Sequence, residues 1–305
     1  MRILITEFMD DTAVDGLRAA HEVAYDPGLV DDATRLLDEA PTCDALIVRN
    51  RTQVRGELLA ALGRCKVVGR LGVGLDNIDV EGCAARGIQV IPATGANAHS
   101  VAEYVVATAM LLLRGAYGST ESVAAGQWPR HALSQGRELA GKTLGLVGFG
   151  SIGQQTARLA RALGMRVAAF TRAGGEEALR AAGVPARSLD DLLAEADVVS
   201  LHVPLTDATR QLLDARRIAG MKKGAILINT ARGGIVDEQA LVSALRSGQL
   251  AGAALDVFAE EPLVRADQFR GCPNLLLTPH IAGLSVEANE RVSSLVASKV
   301  LEALR

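Results

Sequence analysis

The chain has 305 residues, 49% hydrophobic and 22% charged, with a formal net charge of -3. This length allows two domains with separate cores, and the near-neutral balance without a basic run gives no basis for a nucleic-acid surface. The longest apolar run, 101–113, contains Glu103 and is too short to cross a bilayer. The opening Met1-Arg2-Ile3-Leu4-Ile5-Thr6 meets Glu7, Asp10 and Asp11 at once, as a first strand does and a secretory signal does not. Cys43, Cys65, Cys83 and Cys272 show no close pair and no metal-ligand spacing, which points to reduced thiols in a cytoplasmic protein without a metal site.

In the first hundred residues, strands are predicted at 3–5, 45–48, 67–68 and 89–91, and helices at 11–20, 33–39, 57–62 and 80–86. This alternation predicts an α/β fold, a parallel sheet covered on both faces. Residues 98–113 read as one long buried helix, with Ser100 and Glu103 compatible with a capping box at its start. The stretch 114–137 holds the only tryptophan, Trp128, and is either an arm that packs on a second subunit or a surface loop. A second series then starts, with strands at 143–147, 166–170, 198–201, 225–228, 252–255 and 275–278 and helices between them. Six strands match the count of a complete dinucleotide-binding sheet. A last helix, 286–304, is placed to return to the first domain, so the expected domains are 1–98 with 284–305, and 99–283.

The second series opens with Leu144-Gly145-Leu146-Val147-Gly148-Phe149-Gly150-Ser151-Ile152-Gly153. An apolar strand, Gly148-x-Gly150-x-x-Gly153 and a helical run follow in the order a dinucleotide site requires. Gly148 allows the tight turn, Gly150 admits a pyrophosphate to the backbone, and Gly153 lets the helix pack against the strand. The amides and dipole of the helix start then hold the phosphates. At the end of the next strand, NAD sites carry an acidic residue for the adenosine ribose. Here Thr171 and Arg172 occupy that place, eighteen residues after Gly153, and no carboxylate follows until Glu176. Without a carboxylate to repel a 2′-phosphate, and with Arg172 able to pair with it, the reading leans to NADP over NAD. The plain alternative leaves Arg172 solvated and the cofactor NAD.

Three later strand ends carry an acid–base set. Asn229-Thr230-Ala231-Arg232-Gly233-Gly234 supplies a guanidinium, Asp256-Val257-Phe258-Ala259-Glu260-Glu261-Pro262 supplies carboxylates, and Thr278-Pro279-His280 supplies an imidazole. Singly, each is more often a solvated charge or a structural histidine. Together they lie at the edge of the sheet where ligands collect, and they suit reduction of a 2-keto acid. Arg232 can bind the substrate carboxylate and polarise the carbonyl. His280 can deliver the proton, an ionised Glu261 beside it favours imidazolium, and Asp256 can hold a nicotinamide carboxamide. His21, His99 and His131 lack such a setting, and His202 is read as packing beside the cofactor. In the first series, the turn 69–77 contains Val73 and Gly74 and is either a carboxylate-binding nest or a tight turn with Asp76 as helix cap. Arg49 and Arg51 flank Asn50 after a strand, either as exposed charges or facing a second anionic group on the substrate.

With these segments, together with 101–103, 202–206 and 231–238, the chain resembles the D-isomer-specific 2-hydroxyacid dehydrogenases nearly end to end. The resemblance implies a flavodoxin-like substrate domain and a Rossmann coenzyme domain, two doubly wound parallel-sheet domains with the active site in a cleft between them. It also implies a homodimer through the coenzyme domain, and Arg232, Glu261 and His280 as the catalytic triad. Cofactor contacts are implied at Gly148, Gly150, Ser151, Ile152, Gly153, Thr171, Arg172, His202, Val203, Pro204, Thr209, Thr230, Ala231, Asp256, Ala282 and Gly283. Substrate contacts are implied at Arg49, Asn50, Arg51, Val73 and Gly74.

Thr171 departs from the family's usual acidic residue, and Asn50 stands where a serine is frequent. Glu261 argues against formate dehydrogenase, leaving phosphoglycerate, hydroxypyruvate or glyoxylate, and sulfolactate as substrate types. Residues 49–54 and 69–79 are most similar to the sulfolactate group. The chain ends at Arg305 straight after the predicted helix, so no extra regulatory domain is expected. A catalytically silent dinucleotide sensor, like the family's co-repressor relatives, is the competing class; turnover discriminates the two. A methyltransferase explains the glycines and leaves the triad without a task.

Overall fold

Two parallel sheets, built from short apolar strands, organise the computed structural model, which describes residues 1–172 and 174–305. The chain divides into two units, Met1–Asn97 with Leu284–Arg305, and Ala98–Gly283.

The first unit contains β1 (Arg2–Ile5), β2 (Glu22–Tyr25), β3 (Ala45–Val48), β4 (Val67–Arg70) and β5 (Gln89–Pro92), all parallel, in the order β2-β1-β3-β4-β5. All four residues of β3 are buried, as a central strand covered on both faces demands. Ile3 and Ile5 point to one face, where helices Asp11–Arg18 and Val286–Ala303 contribute Val14, Leu17, Val296 and Val300. Leu4 and Leu46 point to the other, packed with Leu36, Leu58 and Cys83. The edge strand β2 was not predicted: its burial is only partial and Glu22 is exposed, so it carries no apolar run. Strand order reverses between β1 and β3, which puts the ligand crevice of such a sheet at their carboxyl ends.

The second unit contains β6 (Thr143–Val147), β7 (Arg166–Phe170), β8 (Val198–Leu201), β9 (Ala225–Asn229), β10 (Leu250–Leu255) and β11 (Leu275–Leu277), parallel in the order β11-β10-β9-β8-β6-β7. The count is six, but the membership is not that of the usual 3-2-1-4-5-6 sheet. Beyond β7 the third strand is reduced to a single bridge, Ala169 to Ala186, and β11 is added at the far edge. Helices Ala98–Arg114 and Ser151–Ala162 cover one face through Val101, Val105, Ala157 and Ala160. The other face is covered by Leu192, Leu241 and Leu245. The long helix begins at Ala98, so Ser100 lies inside its first turn and the expected capping box does not form. Glu103 instead pairs with His99, one turn back, at 2.9 Å. No helix among the described residues is long and apolar enough to cross a membrane.

Gly69 sits under the terminal helix, where a Cβ would lie 2.7 Å from Val296 and 3.0 Å from Val300. Gly69→Ala is therefore expected to cost about 1–3 kcal/mol by overpacking. Gly16→Ala, in a helix with open space around it, should stabilise by about 0.5–1 kcal/mol. Urea denaturation of the two variants measures both signs.

Candidate active site

The three glycines after β6 have three different geometries. Gly148 has φ +102°, and a Cβ there would lie 2.5 Å from the His202 carbonyl oxygen. A Cβ on Gly153 would lie 2.6 Å from the Gly148 carbonyl oxygen, so the helix packs on the turn only as glycine. Around Gly150 the space is open, and the helix Ser151–Ala162 starts there without a side-chain cap. Its first-turn amides, beside Ser151 and Ile152, therefore take no side-chain acceptor and suit an anion. Directly after β9, the Thr230 Oγ1 atom is buried and has no hydrogen-bond partner among the described residues. An open glycine cradle, an uncapped helix start and an orphaned buried hydroxyl fit a bound dinucleotide.

At the end of β7, Thr171 is partly exposed and Arg172 exposed, with no ion pair to Arg172 among the described residues. Glu176, the first carboxylate beyond, accepts the Gly174 N–H at 2.9 Å. After β8, Val203 packs toward Gly148, and Thr209 is turned inward, donating to Pro204 O at 2.6 Å and accepting Thr206 N–H at 2.7 Å. Burial pushes the His202 imidazole down to about 4. It is neutral at physiological pH, as a group packed beside a cofactor can be and a proton donor cannot.

At the end of β9, the buried Asn229 accepts Ala231 N–H at 3.0 Å and donates to Arg232 O at 2.9 Å, folding the turn that presents Arg232. The next residue, Gly233, lies so close to the 258–259 backbone that a Cβ would be 1.6 Å from Phe258 O. This contact brings Arg232 toward Glu261. His280 Nδ1 is 2.7 Å from Glu261 Oε2, and Glu261 Oε1 accepts Phe258 N–H at 2.9 Å. Because a carboxylate only accepts, Nδ1 carries its proton there, and Nε2 is left for acid–base work. Burial pushes the Glu261 carboxyl up, but hydrogen bonds from His280 and Phe258 and the charges of His280 and Arg232 outweigh it. The net shift is below the ordinary value, so Glu261 is ionised at neutral pH. His280 itself has φ +57°, which is uncommon outside glycine. Asp256, 1% exposed, accepts Ile281 N–H and Ala282 N–H, each at 2.8 Å, so its carboxylate serves the turn that carries His280 and runs on to Gly283.

In the first unit, the crevice between β1 and β3 is filled by Glu7. Its buried carboxylate accepts the amides of Arg49 at 2.8 Å, Arg51 at 3.2 Å and Thr52 at 3.0 Å. From the other side, Asn77 donates to Arg49 O and Thr52 O at 3.1 and 2.7 Å. The two arginines of this loop then diverge. Arg49 donates to Asn289 Oδ1 at 2.6 Å and to Phe8 O at 3.4 Å and lies over the Phe8 ring, all uncharged partners. Arg51 is exposed and forms a salt bridge with Asp31 through both terminal nitrogens. Asn50 is exposed, Val73 and Gly74 are partly exposed, and the helix after them is capped by Asp79, not Asp76.

Sequence reasoning missed Glu7, Asn77 and Asn229, whose work is to hold loop backbone. The one available signal was the place of Glu7 and Asn229 at or beside strand ends, while Asn77 lies in the turn after β4. The glycine geometries separate folding from binding. Gly148→Ala should lose about 1–3 kcal/mol of stability from its backbone clash. Gly150→Asp should leave the melting temperature nearly unchanged and weaken dinucleotide binding at least tenfold, about 1.4 kcal/mol, by titration calorimetry.

Residues 106–282 match the family model described as D-isomer specific 2-hydroxyacid dehydrogenase, NAD binding domain. The chain is 52% identical to the (S)-sulfolactate dehydrogenase of Chromohalobacter salexigens, over 99% of this chain and 98% of that protein. It is 40% identical to the D-3-phosphoglycerate dehydrogenase of Mycobacterium leprae over 99% of this chain, but spans only 56% of that longer protein. Among solved structures, the D-lactate dehydrogenase of Aquifex aeolicus complexed with NAD and lactic acid is similar with a TM-score of 0.86 and 30% identity, covering 99% of this chain and 95% of that one. The chain belongs to the D-isomer specific 2-hydroxyacid dehydrogenase family, and is an oxidoreductase that exchanges a hydride between an NAD-type dinucleotide and a small 2-hydroxy or 2-keto acid.

Proposed function

We propose that this dehydrogenase acts on a 2-keto acid with a second anionic group, 3-sulfopyruvate being the favoured example, with Arg232, Glu261 and His280 as its catalytic residues. The carrying observation is the 2.7 Å contact of His280 Nδ1 with a Glu261 kept ionised beside Arg232. Arg232 holds the substrate carboxylate in its planar fork and draws charge onto the carbonyl oxygen. His280 Nε2 gives that oxygen its proton, and Glu261 keeps the ring in the right tautomer and stabilises imidazolium. Residues 148–153 would hold the dinucleotide, which when bound would supply the hydride for reduction and accept it in the reverse direction.

Arg49 is the cation for the second anion, because its guanidinium hydrogen-bonds to neutral groups, and the nearby Glu7 charge is already held by three loop amides, while Arg51 is paired with Asp31. The 52% identity to a sulfolactate dehydrogenase favours a sulfonate there. Thr171 and Arg172, which has no ion pair among the described residues, favour NADPH over NADH. A homodimer forms through the arm at 114–137, where Trp128 is 79% and Tyr117 64% exposed.

Absorbance at 340 nm, with NADH or NADPH against glyoxylate, hydroxypyruvate, 3-phosphohydroxypyruvate and 3-sulfopyruvate, tests the reading. The expected result is the highest kcat/KM with 3-sulfopyruvate and NADPH, and Arg49→Ala raising KM for 3-sulfopyruvate and not for glyoxylate. Equal use of all four acids would refute the dianion reading, and NADH preference would refute the cofactor reading. Glu261 loses its charge only as pH falls through its lowered pKa, so its support of imidazolium persists through neutral pH. Glu261→Gln should therefore lower kcat at neutral pH with dinucleotide affinity unchanged; an unchanged kcat would exclude Glu261 from the proton step.

A further inference from the structure

The turn that carries His280 is tied at several points to one buried carboxylate. Asp256 Oδ1 accepts Thr278 Oγ1–H at 2.6 Å and Ile281 N–H at 2.8 Å, and Oδ2 accepts Ala282 N–H at 2.8 Å. The His280 N–H reaches Asp256 O at 2.8 Å. His280 lies between these anchors with φ +57°, a conformation that non-glycine residues keep only where their surroundings over-determine it. A change in φ would swing the imidazole away from Glu261.

One further group is attached to this clamp. Tyr104, on helix Ala98–Arg114, packs partly buried against the core and places its OH 2.6 Å from Thr278 Oγ1. A threonine hydroxyl has one proton, and the Asp256 carboxylate can only accept it. Thr278 therefore donates to Asp256, and Tyr104 donates to Thr278. Burial raises the Tyr104 phenol above its ordinary pKa, with the Thr278 contact opposing, so it remains a donor at physiological pH. Nothing in the proton step described above uses this tyrosine.

We propose that Tyr104 is a positioning residue for the proton transfer: through Thr278 and Asp256 it holds the His280 turn in its left-handed conformation and the imidazole on Glu261. This rests on the reading of His280 as proton donor. Hydrogen bonds in such a line polarise one another, so the end donor strengthens the Thr278 to Asp256 contact that fixes the turn. The link runs from the helix over the sheet to the reacting side chain, and no substrate or dinucleotide contact is needed for it.

Tyr104→Phe keeps the ring and removes the hydroxyl. The expected result is a fall in kcat of about tenfold with KM and dinucleotide affinity almost unchanged. Thr278→Val should lower kcat at least as far, Thr278→Ser should restore it, and the double variant Tyr104→Phe/Thr278→Val should be no slower than Thr278→Val alone. A wild-type kcat in Tyr104→Phe, with or without a lowered Tm, would overturn the proposal, as would losses that multiply in the double variant. If Tyr104→Phe does not fold, the Thr278 pair alone decides: equal kcat in Thr278→Val and wild type refutes the relay. His280→Asn, run beside them, separates the two claims. An inactive His280→Asn with a normal Tyr104→Phe sinks only the relay, whereas an active His280→Asn sinks the proton-donor reading and the relay with it.

Discussion

Carboxylates buried at strand ends, with backbone amides as their partners, hold both halves of this molecule's chemistry in place. A buried carboxylate is costly unless hydrogen bonds replace its water. Glu7 finds its donors in the amides of Arg49, Arg51 and Thr52, and Asp256 finds them in Ile281 and Ala282. Each set of donors belongs to the loop that leaves a neighbouring strand. The need to satisfy the charge therefore fixes a loop conformation, and the loop fixes a candidate site side chain: Arg49 in the first unit and His280 in the second. Glu261 combines the two tasks, taking an amide with one oxygen and the imidazole with the other.

The topology determines why such loops exist where they do. Parallel strands all end at the same edge, so every βα turn of a unit opens on one side of its sheet. In the second unit the reversal between β6 and β8 leaves the glycine turn and the 202–206 turn side by side, and Gly148 lies against the His202 carbonyl because no side chain intervenes. Gly233 plays the same part between the turns after β9 and β10. These close approaches between backbones are what bring a guanidinium, a carboxylate and an imidazole from three separate strands into one group.

Much of this was legible in the sequence, and the reason is physical. A central strand such as Ala45-Leu46-Ile47-Val48, buried on both faces, must be a continuous apolar run, and a glycine at φ +102° cannot be replaced. The edge strand Glu22–Tyr25 and the single bridge at Ala186 escaped because neither is buried enough to leave a pattern. The capping box at Ser100 and Glu103 was a motif without its geometry, since the helix starts earlier and His99 takes the carboxylate. In the candidate site, Arg232, Glu261 and His280 were readable as charge just beyond strand ends. Glu7, Asn77 and Asn229 were not, because a polar side chain that braces backbone has the same sequence signature as a solvated one. The divergence of Arg49 and Arg51 was equally hidden, since Asp31 is twenty residues from its partner.

We propose above that His280, oriented by Glu261, is the proton donor to the substrate carbonyl, and the other assignments in the site depend on it. Single-turnover reduction of 3-sulfopyruvate or hydroxypyruvate by the His280→Asn variant, preloaded with reduced dinucleotide, tests it most directly. Unchanged dinucleotide affinity and a hydride-transfer rate lower by about 10²–10⁴-fold are expected. A rate equal to that of the wild-type protein, with the substrate bound as tightly, would contradict it.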